Sequence, residues 1–148
     1  MHTLYTLGYL DWTPSAFLAR VEVLGAVVVD IRFSPSSYHP TWRQVALKRV
    51  LEAWYHHVPA LGNRNYKGGP IEIVDLAAGV AVVHQLLATS PVMLLCACRE
   101  LLRCHRHVVA AACTAQYGVS VTHLEPPAVA ETLPLFPEDV WHGEAHHQ

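Results

Sequence analysis

Two short runs of the chain, residues 26–31 (AVVVDI) and 92–97 (VMLLCA), are apolar at successive positions rather than at alternate ones. Neighbouring side chains on a strand point to opposite faces of the sheet. A strand without alternation is therefore covered on both faces, as in the middle of a parallel sheet wrapped by helices. Three weaker strand-like segments, residues 3–8, 55–59 and 120–124, complete a set of five. Helical patterns lie between them. The first opens at Thr13-Pro14, a threonine N-cap with proline at the first helical position, and runs to Leu24, where Gly25 stops it. The second covers residues 42–54 and offers Val45, Leu47, Val50, Leu51 and Trp54 as its buried face. The third covers residues 75–88. The fourth covers 105–117 and ends at Gly118. Strands alternating with helices predict an α/β fold, a Rossmann-like three-layer sandwich with a mostly parallel central sheet flanked by helices.

A chain of 148 residues that is 52% hydrophobic has material for one well-buried core. We expect a single domain over residues 1–125. The segment 126–148 is rich in proline and reads as an extended tail, whose apolar stretch 133–136 and Trp141 would contact the domain, another protein or another subunit. No apolar run reaches the roughly 20 residues of a membrane span. The N-terminal MHTLYTLGY has neither a basic n-region nor an apolar h-region. Both observations predict a cytoplasmic protein without membrane contact. The net charge of −2, with histidine neutral, argues against broad nucleic-acid binding but leaves room for a local basic site.

The polar residues of interest gather at a few places. The run 92–97 leads into CACRELLRCHRH, which holds Cys96, Cys98, Cys104, His105, Arg106 and His107 at a strand-to-helix turn. In open α/β sheets ligands bind at the carboxyl ends of strands. Cys96 is a candidate nucleophile, since Arg99, Arg103, Arg106 and the helix start would favour its thiolate. Cys113, in a helix flanked by alanines, reads instead as a small core residue. The turn is not the Cys-x5-Arg loop of thiol phosphatases, because the sixth residue after Cys98 is Cys104 and after Cys96 is Leu102. Cys96, Cys98, Cys104 and His105 also form a C-x-C-x5-C-H set of zinc-type ligands. A second constellation is Asp30-Ile31-Arg32, either a ligand-binding acid and guanidinium or an internal ion pair that fixes the loop. A third is LGNRNYKGG, residues 61–69, where Asn63 and Lys67 could contact a ligand or simply form a polar turn.

Taken in order, Gly8, Asp30-x-Arg32, Ser34-Pro35, Leu61-Gly62-Asn63 and the C-x7-C-H-R running from Cys96 to Arg106 resemble the DUF488 family over about residues 3–124. Tyr9 stands where the family commonly has histidine. The resemblance implies a Rossmann-like domain and groups Asp30, Arg32, Cys96, Cys104, His105 and Arg106 into one site. It implies no reaction.

Two readings stay open at this point. In the first, the domain binds an anionic ligand, a nucleotide or a nucleic-acid end. Arg32, Ser34, Asn63, Lys67, Cys104 and Arg106 would contact it, and Cys96, Asp30 and His105 would act on it as nucleophile or proton-transfer groups. This reading needs no cofactor. In the second, the chain is a non-catalytic interaction module that senses metal or redox state, with zinc on Cys96, Cys98, Cys104 and His105.

Overall fold

The computed structural model describes residues 1–128. Five strands and four helices alternate: β1 (Leu4–Gly8), α1 (Pro14–Leu24), β2 (Val27–Asp30), α2 (Gln44–Leu51), β3 (Tyr55–His57), α3 (Leu76–Leu87), β4 (Val92–Cys96), α4 (His105–Tyr117) and β5 (Val121–His123). The strands form one sheet in the order β3-β2-β4-β1-β5. Every pairing is parallel. This is the α/β sandwich that the alternating pattern predicts.

β4 occupies the middle, and all five of its residues are buried. Its side chains divide strictly between two cores. Val92, Leu94 and Cys96 join the cluster that contains Val80, Val83 and Leu87 of α3 and Val109, Ala110 and Cys113 of α4. Met93 and Leu95 join Phe17 and Val21 of α1 and Leu47 and Leu51 of α2 on the other face. Fully burying one such side chain contributes about 1.5–3 kcal/mol. A register slip of one residue would exchange the two faces, so the apolar run and its register are fixed together.

Helix ends follow local chemistry. The Thr13 hydroxyl accepts a hydrogen bond from the Ala16 N–H at 3.1 Å, and Gly25 closes α1 in the left-handed conformation at φ 60°. Asp75 caps α3 in the same way as Thr13 caps α1, accepting from the Ala78 N–H.

The second helix departs from expectation. It spans Gln44–Leu51 rather than residues 42–54, with 3-10 turns at Pro40–Trp42 and Glu52–Trp54. Leu47 and Leu51, four residues apart on one stripe, reach the core. Val45, Val50 and Trp54 are 68%, 57% and 47% exposed. The chain must reverse directly after Leu51 to enter β3. It does so at Glu52, which has φ 52° and ψ −120°. Among the described residues no helix is long and apolar enough to cross a membrane. The expected docking residues Leu133, Phe136 and Trp141 lie outside the described residues.

Glu52 is the only non-glycine residue with positive φ among the described residues. Such a backbone stores about 1–3 kcal/mol of strain, and glycine would relieve it at the cost of chain entropy. Glu52→Gly is therefore expected to raise the unfolding free energy by about 1 kcal/mol in denaturant titration. An unchanged or lowered stability would show that the turn is not strained.

Candidate functional site

The carboxyl ends of β1, β2 and β4 lie side by side. Asp30 is in register with Leu95, and Gly8 with Cys96. After β1 the chain leaves toward α1 on one face, and after β4 toward α4 on the other. Adjacent strands whose connections diverge open a crevice between them. The two polar constellations read from the sequence both sit at this edge, but on opposite faces of the sheet.

Asp30 shares the α1/α2 face with Val28 and belongs to a closed internal network. Its carboxylate accepts from Arg32 Nε at 2.9 Å and Arg32 Nη2 at 2.6 Å, from the Arg32 backbone N–H at 3.1 Å and from the Tyr55 hydroxyl at 2.5 Å. Arg32 Nη1 donates to the Trp42 carbonyl at 2.7 Å and, at 3.4 Å, to the Tyr9 hydroxyl and the Ser36 carbonyl. Tyr9 stacks on Trp42 with ring centroids 4.4 Å apart. Asp30 is 0% and Arg32 5% exposed. Burial works against the guanidinium charge, but the Asp30 carboxylate outweighs it and raises the Arg32 pKa. Burial, reinforced by the bond to Asp30, raises the Tyr55 pKa. Of the two uses considered for Asp30-x-Arg32, the geometry is that of the internal pair. The donors of Arg32 are satisfied within the protein and its carboxylate partner faces no solvent.

The cysteine turn occupies the α3/α4 face. Cys96 and Cys104 are 1% and 0% exposed, and their sulfurs lie 2.6 Å apart. That is longer than the roughly 2.05 Å of a disulfide bond. Both are free thiols, as is the half-buried Cys98. All three sulfurs fall within 4.8 Å of one another. β4 ends at Cys96, so strand alternation does not carry Cys98 to this place; the turn through Ala97 does. His105 opens α4, and its Nε2 donates to the Ile31 carbonyl at 2.7 Å. That bond ties the cysteine turn to the end of β2 and turns the ring. Of the four zinc-type ligands named from sequence, Cys96, Cys98 and Cys104 form the mutually close set, while His105 adjoins the Cys104 and Cys98 sulfurs and commits Nε2 to the Ile31 carbonyl. Arg106 Nη1 donates to the Cys98 carbonyl at 3.1 Å and approaches the Cys96 sulfur at 3.5 Å. Arg106 Nε is buried without a hydrogen-bond partner.

The thiols differ in protonation. Burial first, and then the neighbouring sulfurs of Cys104 and Cys98, push Cys96 well above the usual thiol range. Contacts from Cys96 and Cys98 lower Cys104 against its own burial, helped by the His105 ring and the Arg106 N–H. The two sulfurs share one contact and one buried environment, so they titrate as a pair. Burial alone would lower His105, but the Cys104 and Cys98 sulfurs and the Ile31 carbonyl lift it to about 9. Cys113 is buried, which raises its thiol to about 11 and fits its reading as a core residue.

The remaining candidates lie apart from the sulfurs. Ser34 is exposed. Asn63 is 8% exposed, and its side-chain oxygen accepts the N–H groups of Asn65 at 3.1 Å and Glu72 at 2.9 Å. It thus closes its own loop. Lys67 is exposed and lies 5.7 Å from the ring of the adjacent Tyr66. Tyr9, Trp42 and Tyr55, which complete the Asp30–Arg32 network, were missed. Each bonds a partner ten or more residues away, and nothing in its own neighbourhood signals that partner.

Gly8 explains how tightly the turn sits. A Cβ there would lie 1.7 Å from the Cys98 carbonyl oxygen and 2.3 Å from Arg106 Nη1. Gly8→Ala is expected to displace the cysteine loop and to cost at least about 1–3 kcal/mol, the usual range for overpacking. Thermal unfolding and the accessibility of Cys96 to alkylation would report it. Unchanged values in both would mean that the loop does not rest on Gly8.

No family model, no curated protein and no solved structure matches the chain, so the chemistry of the site is read from its own side chains.

Proposed function

We propose that the chain is a redox-responsive thiol module in which Cys96 and Cys104 pass reversibly between two thiols and one disulfide. The observation that carries this reading is the 2.6 Å contact between their sulfurs at the end of the central strand. The likeness to the DUF488 family, whose motif positions include Cys96, Cys104, His105 and Arg106, supports reading these four as one centre. In the oxidising step the two thiols lose two electrons and two protons to an external low-molecular-weight disulfide, which is reduced to two thiols. Reduction by an external dithiol reverses the step. The half-buried Cys98 brings a third sulfur to within 4.8 Å of the buried pair.

A second reading, an anionic ligand at the start of α4, has one observation in its favour. Arg106 is 5% exposed and its Nε lacks a partner. A helix N-terminus beside such a group suits an anion. The anion-binding role first considered for Arg32 has less support, because its donors are bonded inside the protein.

Oxidised glutathione added to the reduced protein, followed by peptide mapping, tests the first reading. We expect a Cys96–Cys104 disulfide, a free Cys113 thiol, and full reversal by dithiothreitol. Folded protein that acquires only a mixed disulfide at Cys98 would refute it. Inorganic phosphate in the same reaction addresses the second reading, since an anion at Arg106 would slow the reaction at the neighbouring sulfurs.

A further inference from the structure

We infer that the reduced cysteine turn is also a binding site for a thiophilic divalent cation, zinc, held by the sulfurs of Cys96, Cys98 and Cys104. The inference does not depend on whether the pair ever oxidises; it needs only the reduced thiols. Three sulfurs within 4.8 Å of one another already lie at the scale of a tetrahedral zinc site. There each Zn–S bond is about 2.3 Å and sulfurs stand about 3.8 Å apart. Cys96 and Cys104 must open from 2.6 Å, and Cys98, on an irregular loop, has freedom to adjust.

Charge supplies an independent argument. Arg106 is 5% exposed, and among the described residues no carboxylate forms a salt bridge with it. A buried cation needs a compensating negative group. The groups around Arg106 able to carry one are the thiols, beginning with Cys96 at 3.5 Å. A guanidinium beside the sulfurs favours their thiolate form, and that is the form that binds zinc. The bond from His105 Nε2 to the Ile31 carbonyl holds the α4 start in place beneath the sulfurs, the supporting role that ordered neighbours play around metal ligands. Soft thiolates also select zinc over hard cations such as magnesium or calcium.

Zinc titration of the reduced, metal-stripped full chain against a chromophoric chelator tests the inference, with cobalt as an optical probe. We expect one zinc per chain and, with cobalt, a thiolate-to-metal charge-transfer band in the near ultraviolet. Cys98→Ser should keep the fold and weaken zinc binding by at least the roughly 10–100-fold that loss of a mere supporting neighbour costs. Cys113→Ser should bind as the wild type does. Reduced wild-type protein that takes up no zinc and gives no charge-transfer band would overturn the inference, as would a Cys98→Ser protein that binds zinc equally well. A chain that forms the Cys96–Cys104 disulfide but takes up no zinc defeats this inference alone. One that binds zinc but never forms the disulfide defeats the redox reading alone.

Discussion

Covering β4 on both faces is the constraint from which the rest follows. Its five residues are all buried, and they send alternate side chains into two separate cores. A strand in that position can end only where the chain escapes to one face, and β4 ends at Cys96 with the chain turning toward α4. The neighbouring β2 ends at Asp30, whose side chain faces the other core. Any polar group at these ends is removed from water and must find partners inside the protein. The sheet thereby sorts the polar residues into two sets that share an edge but not a face.

The two sets meet the cost of burial in different ways. On the α1/α2 face Asp30 and Arg32 satisfy each other, with Tyr9, Ser36, Trp42 and Tyr55 supplying further bonds. That network joins β2 to the loop before α2 and to β3, and every guanidinium nitrogen of Arg32 has a partner inside it. On the α3/α4 face the polar groups are thiols, an imidazole and a guanidinium with an unpartnered Nε. Thiols can change their bonding state, by forming a disulfide or by taking a metal ion, where a satisfied carboxylate pair cannot. The contact between faces is the bond from His105 to the Ile31 carbonyl, which fixes the position of the cysteine turn relative to β2.

Much of this was legible in the sequence because it depends on local pattern. The apolar runs around Val28 and Leu94 marked the two central strands, and Thr13-Pro14 with Gly25 marked α1. The crowding of cysteines after residue 95 marked the edge at which chemistry gathers. What was not legible depends on direction and on long-range partners. Asp30 and Cys96 sit at adjacent strand ends, yet the parity of their positions relative to the pleat puts them on opposite faces. The contact between the Cys96 and Cys104 sulfurs spans eight residues and depends on burial, which no local pattern records. The early end of α2 at Glu52 arises from the chain's need to reverse into β3. The helical spacing of Val45, Val50 and Trp54 does not record that need.

The division of labour between the faces is tested most directly by Asp30→Asn, with unfolding free energy and Cys96–Cys104 disulfide yield measured on the same protein. Removing one charge of the buried pair leaves Arg32 without its partner and should cost about 3–5 kcal/mol. The fraction that remains folded should form the disulfide with oxidised glutathione as the wild type does. A variant that keeps its stability, or one that stays folded but no longer joins Cys96 to Cys104, would contradict the separation of a structural pair from a thiol centre.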